Sequence, residues 1–290
     1  MDLMQLRAMA KINLGLDVVR KREEGYHEVR MIMQTIRMFD RVTVYRIPEP
    51  EIRISSNLHF LPVNENNIAY KAARMMLESQ PVRGGVSISL QKRIPVAAGM
   101  AGGSDDAAAV LVGLNELYGA RLSMSELCAL GAKIGADVPF ALMGGTCRVQ
   151  GVGDFLKALP PVPECWFTVV MPDYGVSTPE AFAAYDRVGS SVHPDCGAQE
   201  AAIRAGDLDA LCAAAGNALE ECSGAKDTGA IKALLREHGA VTALMTGSGA
   251  AVFGVFRDEG AARAAAQAAK RRWKQVYVAQ PDRGGARVSR

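Results

Sequence analysis

Residues 95–117 read PVAAGMAGGSDDAAAVLVGLNEL and join an extended segment, residues 86–90, to a strongly helical one. The small residues in this stretch let backbone N–H groups approach a ligand without a side chain in the way. Ser104 is predicted to be the N-cap of the helix. Apolar residues that follow it recur at helical spacing and predict one buried face. They are Ala107, Val110, Leu111, Leu114 and Tyr118.

A glycine-rich loop that opens a helix is suited to binding an anion. The first N–H groups of a helix are unpaired and its dipole favours negative charge, so phosphate is the natural ligand. The alternative is a flexible loop before an ordinary core helix. Neither the P-loop pattern nor the dinucleotide-binding glycine pattern is present. A phosphate site here would therefore use a third loop design.

The loop resembles the phosphate-binding motif of the GHMP kinases over Pro95 to Ala107. This family includes galactokinase, homoserine kinase and mevalonate kinase. Residues 8–14, AMAKINL, resemble the N-terminal motif of the family, and residues 246–250, TGSGA, resemble the C-terminal one. Residues 135–139, GADVP, and 25–27, GYH, are similar to the members that act on a cytidine diphosphate-linked methylerythritol. The resemblance covers nearly the whole chain in the right order.

The resemblance implies the two-domain α+β fold of GHMP kinases. In that fold an N-terminal domain like domain 2 of ribosomal protein S5 meets a ferredoxin-like C-terminal domain, with the active site in the cleft between them. A length of 290 residues suits two domains. A proline-rich linker at 160–163 predicts the boundary, with an ATP-binding domain over residues 1–159 and a C-terminal domain over 160–290.

Composition narrows the class of protein and its partners. The net charge of +2 and the absence of a basic face argue against a nucleic-acid partner. No apolar run is long enough for a membrane span, and no signal peptide is evident. The six cysteines form no C-x-x-C pair, which fits neither a zinc site nor a disulfide framework. We expect a cytoplasmic protein with a small-molecule substrate, as a monomer or weak homodimer.

Hydrophobic periodicity predicts the elements along the chain. Predicted strands cover 8–19, 29–37, 41–47, 52–54, 86–93, 166–171, 241–245, 251–256 and 275–279. Predicted helices cover 67–80, 122–134, 198–204, 207–222, 227–238 and 259–272, and another begins at Pro179. The glycines at 144–153 predict a tight turning region. The second half therefore has an α+β pattern.

Lys11 and Asp137 are the candidate catalytic residues. Strand alternation places Lys11 and Asn13 on one face of an otherwise apolar strand, which predicts that this face looks into a cleft. Asp137 follows a helix stop at Gly135, and it is either a turn aspartate or a general base. The resemblance implies that Lys11 and Asp137 form an active-site pair, and that Asn13 contacts the substrate.

The resemblance implies ATP and Mg²⁺ as cofactors. The expected nucleotide-binding residues are Pro95, Val96, Ala97, Ala98, Gly99, Met100, Ala101, Gly102, Gly103, Ser104 and Asp105, with Asn67, Ile68 and Lys92 near the adenine. Asp105 and Asp106 are more acidic than the family pattern and stand beside the phosphate site. Either they point away as caps, or one acts through Mg²⁺. The metal ligands are left unassigned.

The segment around Tyr26 and His27 indicates which substrate is bound. Alone it is a surface turn with one aromatic residue. A tyrosine ring can stack on a base, and an imidazole offers both a donor and an acceptor. The resemblance implies that both residues hold the cytidine, together with Phe182 from the second domain, for which Tyr185 is the alternative. It also places residues 247–249, Gly247, Ser248 and Gly249, against the substrate, although alone they read as a hairpin turn.

Two other functions are compatible with this pattern. The chain could be another GHMP kinase that acts on a plain alcohol such as homoserine or mevalonate. It could also be a non-catalytic nucleotide-binding protein on the same fold. The residues 25–27 argue against the first alternative. A lysine and a carboxylate placed for proton transfer argue against the second.

Overall fold

The computed structural model describes residues 2–79 and 83–289. In chain order the elements are β1 (Leu3–Lys21), β2 (His27–Ile47), β3 (Ile52–Ser56), α1 (Ile68–Ser79), β4 (Gly85–Gln91), α2 (Gly102–Tyr118), α3 (Met124–Ala132), α4 (Val138–Met143), β5 (Thr146–Gln150), β6 (Phe155–Leu159), β7 (Trp166–Met171), α5 (Thr178–Val188), α6 (Cys196–Ala205), α7 (Leu208–Ala213), β8 (Gly216–Asn217), α8 (Thr228–Glu237), β9 (Thr242–Met245), β10 (Val252–Phe256), α9 (Glu259–Ala269), β11 (Gln275–Ala279) and β12 (Arg287–Val288).

The first sheet is built on the long antiparallel pair of β1 and β2. The pairing runs from Leu3 opposite Tyr45 to Lys21 opposite His27. The sheet has the order β12-β1-β2-β4-β3, with β5 and β6 extending it from β2 and β8 lying beside β1. The register of β1 against β2 shifts between Met9 and Lys11 and again between Asn13 and Gly15. Such irregularities re-aim side chains, and here they bracket the Lys11–Asn13 segment.

The second sheet has the order β11-β7-β10-β9 and is antiparallel throughout. Numbered within this half, its strands follow the order 4-1-3-2 with helices between strands 1 and 2 and between strands 3 and 4, which is the ferredoxin-like arrangement. Helix α9 packs closely because its buried face consists only of alanines, Ala262, Ala265, Ala266 and Ala269. The predicted α+β class and C-terminal topology are confirmed.

The two sheets share a hydrophobic core. Ile12 and Ile32 of the first sheet belong to the same buried cluster as Phe167 and Phe253 of the second. The rings of Phe167 and Phe253 meet edge to face with centroids 6.0 Å apart. Because interiors are close-packed, this shared core fixes the cleft between the two halves.

The predicted helix over 207–222 is wrong. Helix α7 ends at Ala213, and β8 pairs with β1 through Gly216 opposite Gly15 and Asn217 opposite Leu16. The Asn217 side-chain amide donates to the carbonyl oxygens of Met245 and Gly247, both at 2.8 Å. These long-range hydrogen bonds override the local helix propensity of an alanine-rich segment.

Other predicted bounds also differ. The predicted strands 29–37 and 41–47 are one strand, β2. The predicted turning region at 144–153 contains β5 and the turn after it, and β6 follows that turn. The sequence pattern does not predict α4, β6 or β12. The predicted helix 67–80 is α1, and its last residue, 80, lies outside the described residues. Among the helices of the described ranges, none is long and apolar enough to cross a membrane.

The predicted division of the chain at residues 159 and 160 remains a prediction. Strands β8 and β12 come after it in the sequence but pair with β1 of the first sheet. The first and last residues of the two predicted domains, 1 and 290, lie outside the described residues. The C-terminal segment therefore returns to the N-terminal sheet after completing the second one.

Candidate active site in the cleft

The glycine-rich loop ends earlier than predicted. Helix α2 begins at Gly102 and its N-cap is Ala101, which has left-handed backbone angles (φ 62°) and makes no side-chain cap. Ser104 is the third helical residue, so its predicted role as N-cap is wrong. The turn comes early because Ala97 and Gly99 also have positive φ. Within the described residues the N–H groups of 102–104 meet no protein acceptor, which leaves this helix start open to an anion.

This helix start opens into a cavity of about 880 Å³ between the two halves. Nearly all the predicted site residues line it: Lys11, Asn13, Tyr26, His27, Asn67, Ile68, Lys92, Pro95, Val96, Ala97, Ala98, Gly99, Met100, Ala101, Gly102, Gly103, Ser104, Asp137, Phe182, Gly247 and Ser248. Three do not line it. Asp105 is fully buried behind the loop, Gly249 lies outside the wall, and the alternative Tyr185 turns its hydroxyl to the carbonyl oxygen of Val18 at 3.1 Å.

Contacts across the cavity give the order of its parts. At one end, the Ile68 side chain lies 3.4 Å from the position of a Cβ on Gly103, so the start of α1 adjoins the start of α2. In the middle, the Gly99 carbonyl oxygen accepts from the Thr246 hydroxyl at 3.3 Å. Further along, the Ser248 hydroxyl bonds that of Thr178, the first residue of α5, at 2.8 Å. The cavity therefore runs from α1, past the glycine-rich loop, to α5.

Lys11 lies in the middle of the cavity wall and is only 4% exposed. Its ammonium group donates to Asn13 Oδ1 at 2.5 Å and to the Gly99 carbonyl oxygen at 2.7 Å. Burial lowers the pKa of Lys11, while the charges of Asp137 and Asp105 raise it. Two of the three ammonium donors are used by the protein, so one is left for a ligand.

Asp137 is half-buried at the start of α4 and lines the same cavity. Its carboxylate does not cap the helix and has no hydrogen-bond partner among the described residues. It is not ion-paired with Lys11 within 4.0 Å, although its charge acts on that lysine. A carboxylate without a protein partner beside a phosphate loop can accept a proton from a bound hydroxyl.

A buried acidic cluster lies beneath the start of α2. The Lys92 ammonium group bonds Asp40 and, at 2.5 Å, Asp106, and it also donates to the Gly102 carbonyl oxygen at 3.0 Å. Burial would lower the pKa of Lys92, but the charges of Asp106 and Asp40 raise it. The ammonium of Lys92 therefore serves this cluster, and only the rest of its side chain is available to an adenine.

Asp105 belongs to this cluster but has no bonded partner. It is fully buried, and neither carboxyl oxygen finds a hydrogen bond within the described ranges. Burial holds the pKa of Asp105 well above its usual range. Because α2 has no side-chain cap, the capping interpretation of Asp105 and Asp106 is wrong. The repulsion expected between this acidic pair and a phosphate is reduced by burial at Asp105 and by Lys92 at Asp106.

The far end of the cavity carries the aromatic residues. The ring of His27 stacks on that of Phe182 with centroids 4.6 Å apart and an interplanar angle of 26°. Tyr26 is 68% exposed, so its ring is free to stack on a ligand. His27 Nε2 lies 2.7 Å from Asp186 Oδ1, and the Lys21 ammonium lies 2.6 Å from Asp186 Oδ2. Lys21 and Asp186 both line the cavity, and no sequence motif marks either of them.

The opposite end is more apolar than predicted. Leu61, Pro62 and Ile94 line it beside Ile68. Asn67 uses its side chain to start α1, since its Oδ1 accepts from the Ala69 N–H at 2.9 Å. Leu61 and Pro62 lie in an irregular segment, so no periodicity marked them as functional. This end can hold a flat apolar group such as a purine.

The donor set permits Mg²⁺ but forms no ready-made cage. No group of three or more His, Cys, Asp or Glu side chains in the described ranges is arranged to hold a metal. Mg²⁺ commonly takes one or two carboxylates and completes its shell with phosphates and water. Asp105 is fully buried and does not line the cavity, so it does not fit this role, whereas Ser104 lines the cavity at the phosphate loop and its hydroxyl fits it.

Comparison with known families agrees with this geometry. The model of the GHMP kinases N terminal domain matches residues 67–145, which include the glycine-rich loop. The model of the GHMP kinases C terminal domain matches residues 199–275. The chain belongs to the GHMP kinase family. The family predicted from the sequence motifs is thereby confirmed.

Individual GHMP kinases are similar over almost their full length. A relative from Lachnospira eligens named 4-diphosphocytidyl-2-C-methyl-D-erythritol kinase is 45% identical, over 96% of this chain and 98% of its own. A crystal structure of a 4-(cytidine 5'-diphospho)-2C-methyl-D-erythritol kinase has a TM-score of 0.81 at 35% identity, covering 97% and 100% of the chains. A homoserine kinase from Cytophaga hutchinsonii has a TM-score of 0.80 at 20% identity, covering 100% and 98%, and shares the fold.

Proposed function

We propose that this GHMP kinase transfers the γ-phosphoryl group of ATP to the 2-hydroxyl of 4-diphosphocytidyl-2-C-methyl-D-erythritol. The products are the 2-phosphate and ADP, in the methylerythritol phosphate route to isoprenoid precursors. The names of the similar kinases support this substrate. The structural observation that carries the proposal is one cavity with an open phosphate loop in its middle and the aromatic group of Tyr26, His27 and Phe182 at one end.

The nucleotide is assigned to the α1 side of the cavity. The unpaired N–H groups of 102–104 and the dipole of α2 would hold its phosphates. The adenine would lie among Leu61, Pro62 and Ile68. When bound with ATP, Mg²⁺ would neutralise charge on the phosphates, held in part by the Ser104 hydroxyl.

The acceptor alcohol is assigned to the α5 side. Its cytosine would lie against Tyr26, and its diphosphate would pass Ser248 toward the loop. This arrangement brings the 2-hydroxyl between Asp137 and the γ-phosphate. Positioning of this kind supplies most of the catalysis in phosphoryl transfer.

The chemical step then requires only groups at the cavity wall. The hydroxyl proton passes to the Asp137 carboxylate, and the hydroxyl oxygen forms a bond to the γ-phosphorus. The bond from that phosphorus to the bridging oxygen breaks, and the electron pair leaves with ADP. Lys11, which Asn13 and Gly99 hold in place, stabilises the charge on the transferred group.

A substrate panel tests the proposal. The protein is incubated with Mg-ATP and, separately, with the cytidylated methylerythritol, methylerythritol 4-phosphate, homoserine and mevalonate, and ADP release is measured. We expect the fastest ADP release with the cytidylated compound, slower release with methylerythritol 4-phosphate, and none with homoserine or mevalonate. Turnover of homoserine or mevalonate instead would replace the proposed substrate with a plain alcohol. ATP binding with no ADP from any acceptor would contradict catalysis.

The expectations of a cytoplasmic location and of a monomer or weak homodimer remain predictions.

A further inference from the structure

Helix α5 presents one face to the base-binding end of the cavity. Pro179, Phe182, Ala183 and Asp186 all line the cavity and follow the spacing of residues on one helix face. Phe182 and Asp186 are four residues apart, so they are neighbours on that face. The same helix therefore supplies both the aromatic ring beneath His27 and the carboxylate at its edge.

Two contacts hold the His27 ring, one on its flat face and one at its Nε2 edge. Phe182 stacks on the face, and Asp186 Oδ1 lies 2.7 Å from Nε2. Only 9% of the His27 side chain is exposed. Rotation of the ring would break both contacts, so its orientation is fixed. Its other nitrogen, Nδ1, has no hydrogen-bond partner within the described part of the chain, and the residue lines the cavity.

The carboxylate decides which nitrogen of His27 carries the proton. The hydrogen bond from His27 and that from Lys21 hold the pKa of Asp186 below its usual range, so this group is ionised. An ionised carboxylate can only accept, and Nε2 must therefore donate. Lys21 already lies 2.6 Å from Asp186 and supplies the balancing positive charge. Because Nε2 donates to Asp186, the neutral tautomer that fits this contact has its proton on Nε2 and offers Nδ1 as a hydrogen-bond acceptor.

We propose that Asp186 is a positioning residue that makes the site specific for cytosine over uracil. Cytosine carries an amino donor at position 4, where uracil carries a carbonyl acceptor. An Nδ1 acceptor pairs with the amino group and opposes the carbonyl. A ligand that leaves a buried polar group of the site without a hydrogen bond binds much more weakly than one that pairs with it. This inference rests on the proposed function, because it deepens the assignment of His27 to the base.

Binding of CDP and UDP to the full chain tests this role. Calorimetry gives both dissociation constants for the unmodified protein and for Asp186→Asn, whose amide can either accept from or donate to Nε2. We expect the preference for CDP to fall by about tenfold, the scale of one hydrogen bond. We expect KM for the cytidylated substrate to rise by a similar factor, with kcat unchanged. Asp186→Glu keeps a carboxylate and should retain the preference.

Glu180→Gln is the matched control, because Glu180 is exposed on α5 and does not line the cavity. It should leave both dissociation constants unchanged, and thermal melting should show all variants folded. Equal weakening of CDP and UDP in Asp186→Asn, or an unchanged preference, overturns the role of Asp186. So does an equal loss of preference in Asp186→Glu. If the unmodified protein phosphorylates the cytidylated alcohol and prefers CDP, these failures leave the proposed function standing. If it does neither, the proposed function itself fails.

Discussion

At the scale of single residues, Asp137 is placed to act as the general base. Its carboxylate faces the cavity and has no partner among the described residues, so no structural hydrogen bond depends on its charge. Asp137→Asn keeps the shape and removes the base, which typically contributes about 10²–10⁴-fold. We expect kcat to fall by at least the lower factor, with KM nearly unchanged. Steady-state kinetics measures both constants, and a near-normal turnover rate of Asp137→Asn would refute the role. Asp173→Asn, at an exposed site, is the control.

The buried Asp105 carboxyl predicts a pH-dependent effect on stability. Burial raises its pKa in the folded state, so between about pH 4 and that raised pKa the folded protein binds a proton that the unfolded chain has lost. Its contribution is therefore most favourable below about pH 4 and is lost as pH rises. Asp105→Asn cannot ionise and should gain stability relative to the unmodified protein between pH 5 and pH 8.

Urea unfolding at several pH values measures this difference. The free energy of unfolding of Asp105→Asn, minus that of the unmodified protein, should increase steadily with pH. The exposed Glu180→Gln should show no such trend. A difference that stays constant or falls between pH 5 and pH 8 would mean that Asp105 is ionised and stabilised in the folded protein.

Site residues that belong to a local motif could be predicted from the sequence. Residues that act through a partner far away in the chain could not. Lys11, Asp137 and the glycine-rich loop all line the cavity as predicted. Asp186 was missed because its partner His27 is 159 positions away in the chain. Nothing in the TPEAFAAYDR segment marks that carboxylate as functional. Cap propensity predicts Ser104 as the N-cap because it carries no information about the left-handed Ala101, which is the actual N-cap.

At the scale of elements, the glycine-rich loop has two functions that substitutions can separate. Gly99 has φ of +73°, and a Cβ there would lie 2.1 Å from the Thr246 carbonyl oxygen of the other half. Gly103 lies in α2, where a Cβ would make only an ordinary contact with Ile68. Gly99 therefore serves the packing of the two halves, and Gly103 serves access to the helix start.

Alanine at each of these glycines should give opposite results. Gly99→Ala should lower the free energy of unfolding by about 1–3 kcal/mol from backbone strain alone. Gly103→Ala should keep or raise the melting temperature, since alanine favours a helix, while weakening ATP binding about tenfold by blocking the phosphate. Thermal melting and nucleotide titration measure the two effects. A Gly103→Ala variant with unchanged ATP affinity would contradict the phosphate assignment.

The elements that the sequence misplaced are those set by contacts with other parts of the chain. The alanine-rich segment after residue 207 has strong helix propensity, yet Gly216 and Asn217 pair with β1 instead. Strands β5 and β6 fall in and beside a run of glycines and are formed by pairing with β2 and with each other. The long amphipathic helices and the β9–β10 hairpin carry their own periodicity, and they lie close to where it placed them.

At the scale of the whole molecule, the cavity joins the nucleotide end, the phosphate loop and the base-binding end. Neither half of the chain supplies all of its wall. The first half supplies the phosphate loop, Lys11 and Tyr26, whereas the second supplies Phe182 and the loop at Gly247. Stacking on an aromatic ring contributes about 1–3 kcal/mol per base. An acceptor that lacks the cytidine would lose this energy and the contacts that align its hydroxyl with Asp137.

Methylerythritol 4-phosphate, which lacks the cytidine, should therefore be a poor substrate. We expect kcat/KM to fall by at least about fivefold, which corresponds to about 1 kcal/mol, the lower bound for one lost stacking contact. Part of the loss should appear in kcat, because binding energy at a remote group also positions the reacting one. Adding free CMP in trans should not restore the rate, since the covalent link is what aligns the alcohol. If both alcohols react equally well, the aromatic end of the cavity does not bind the substrate, and a plain-alcohol kinase describes the protein better.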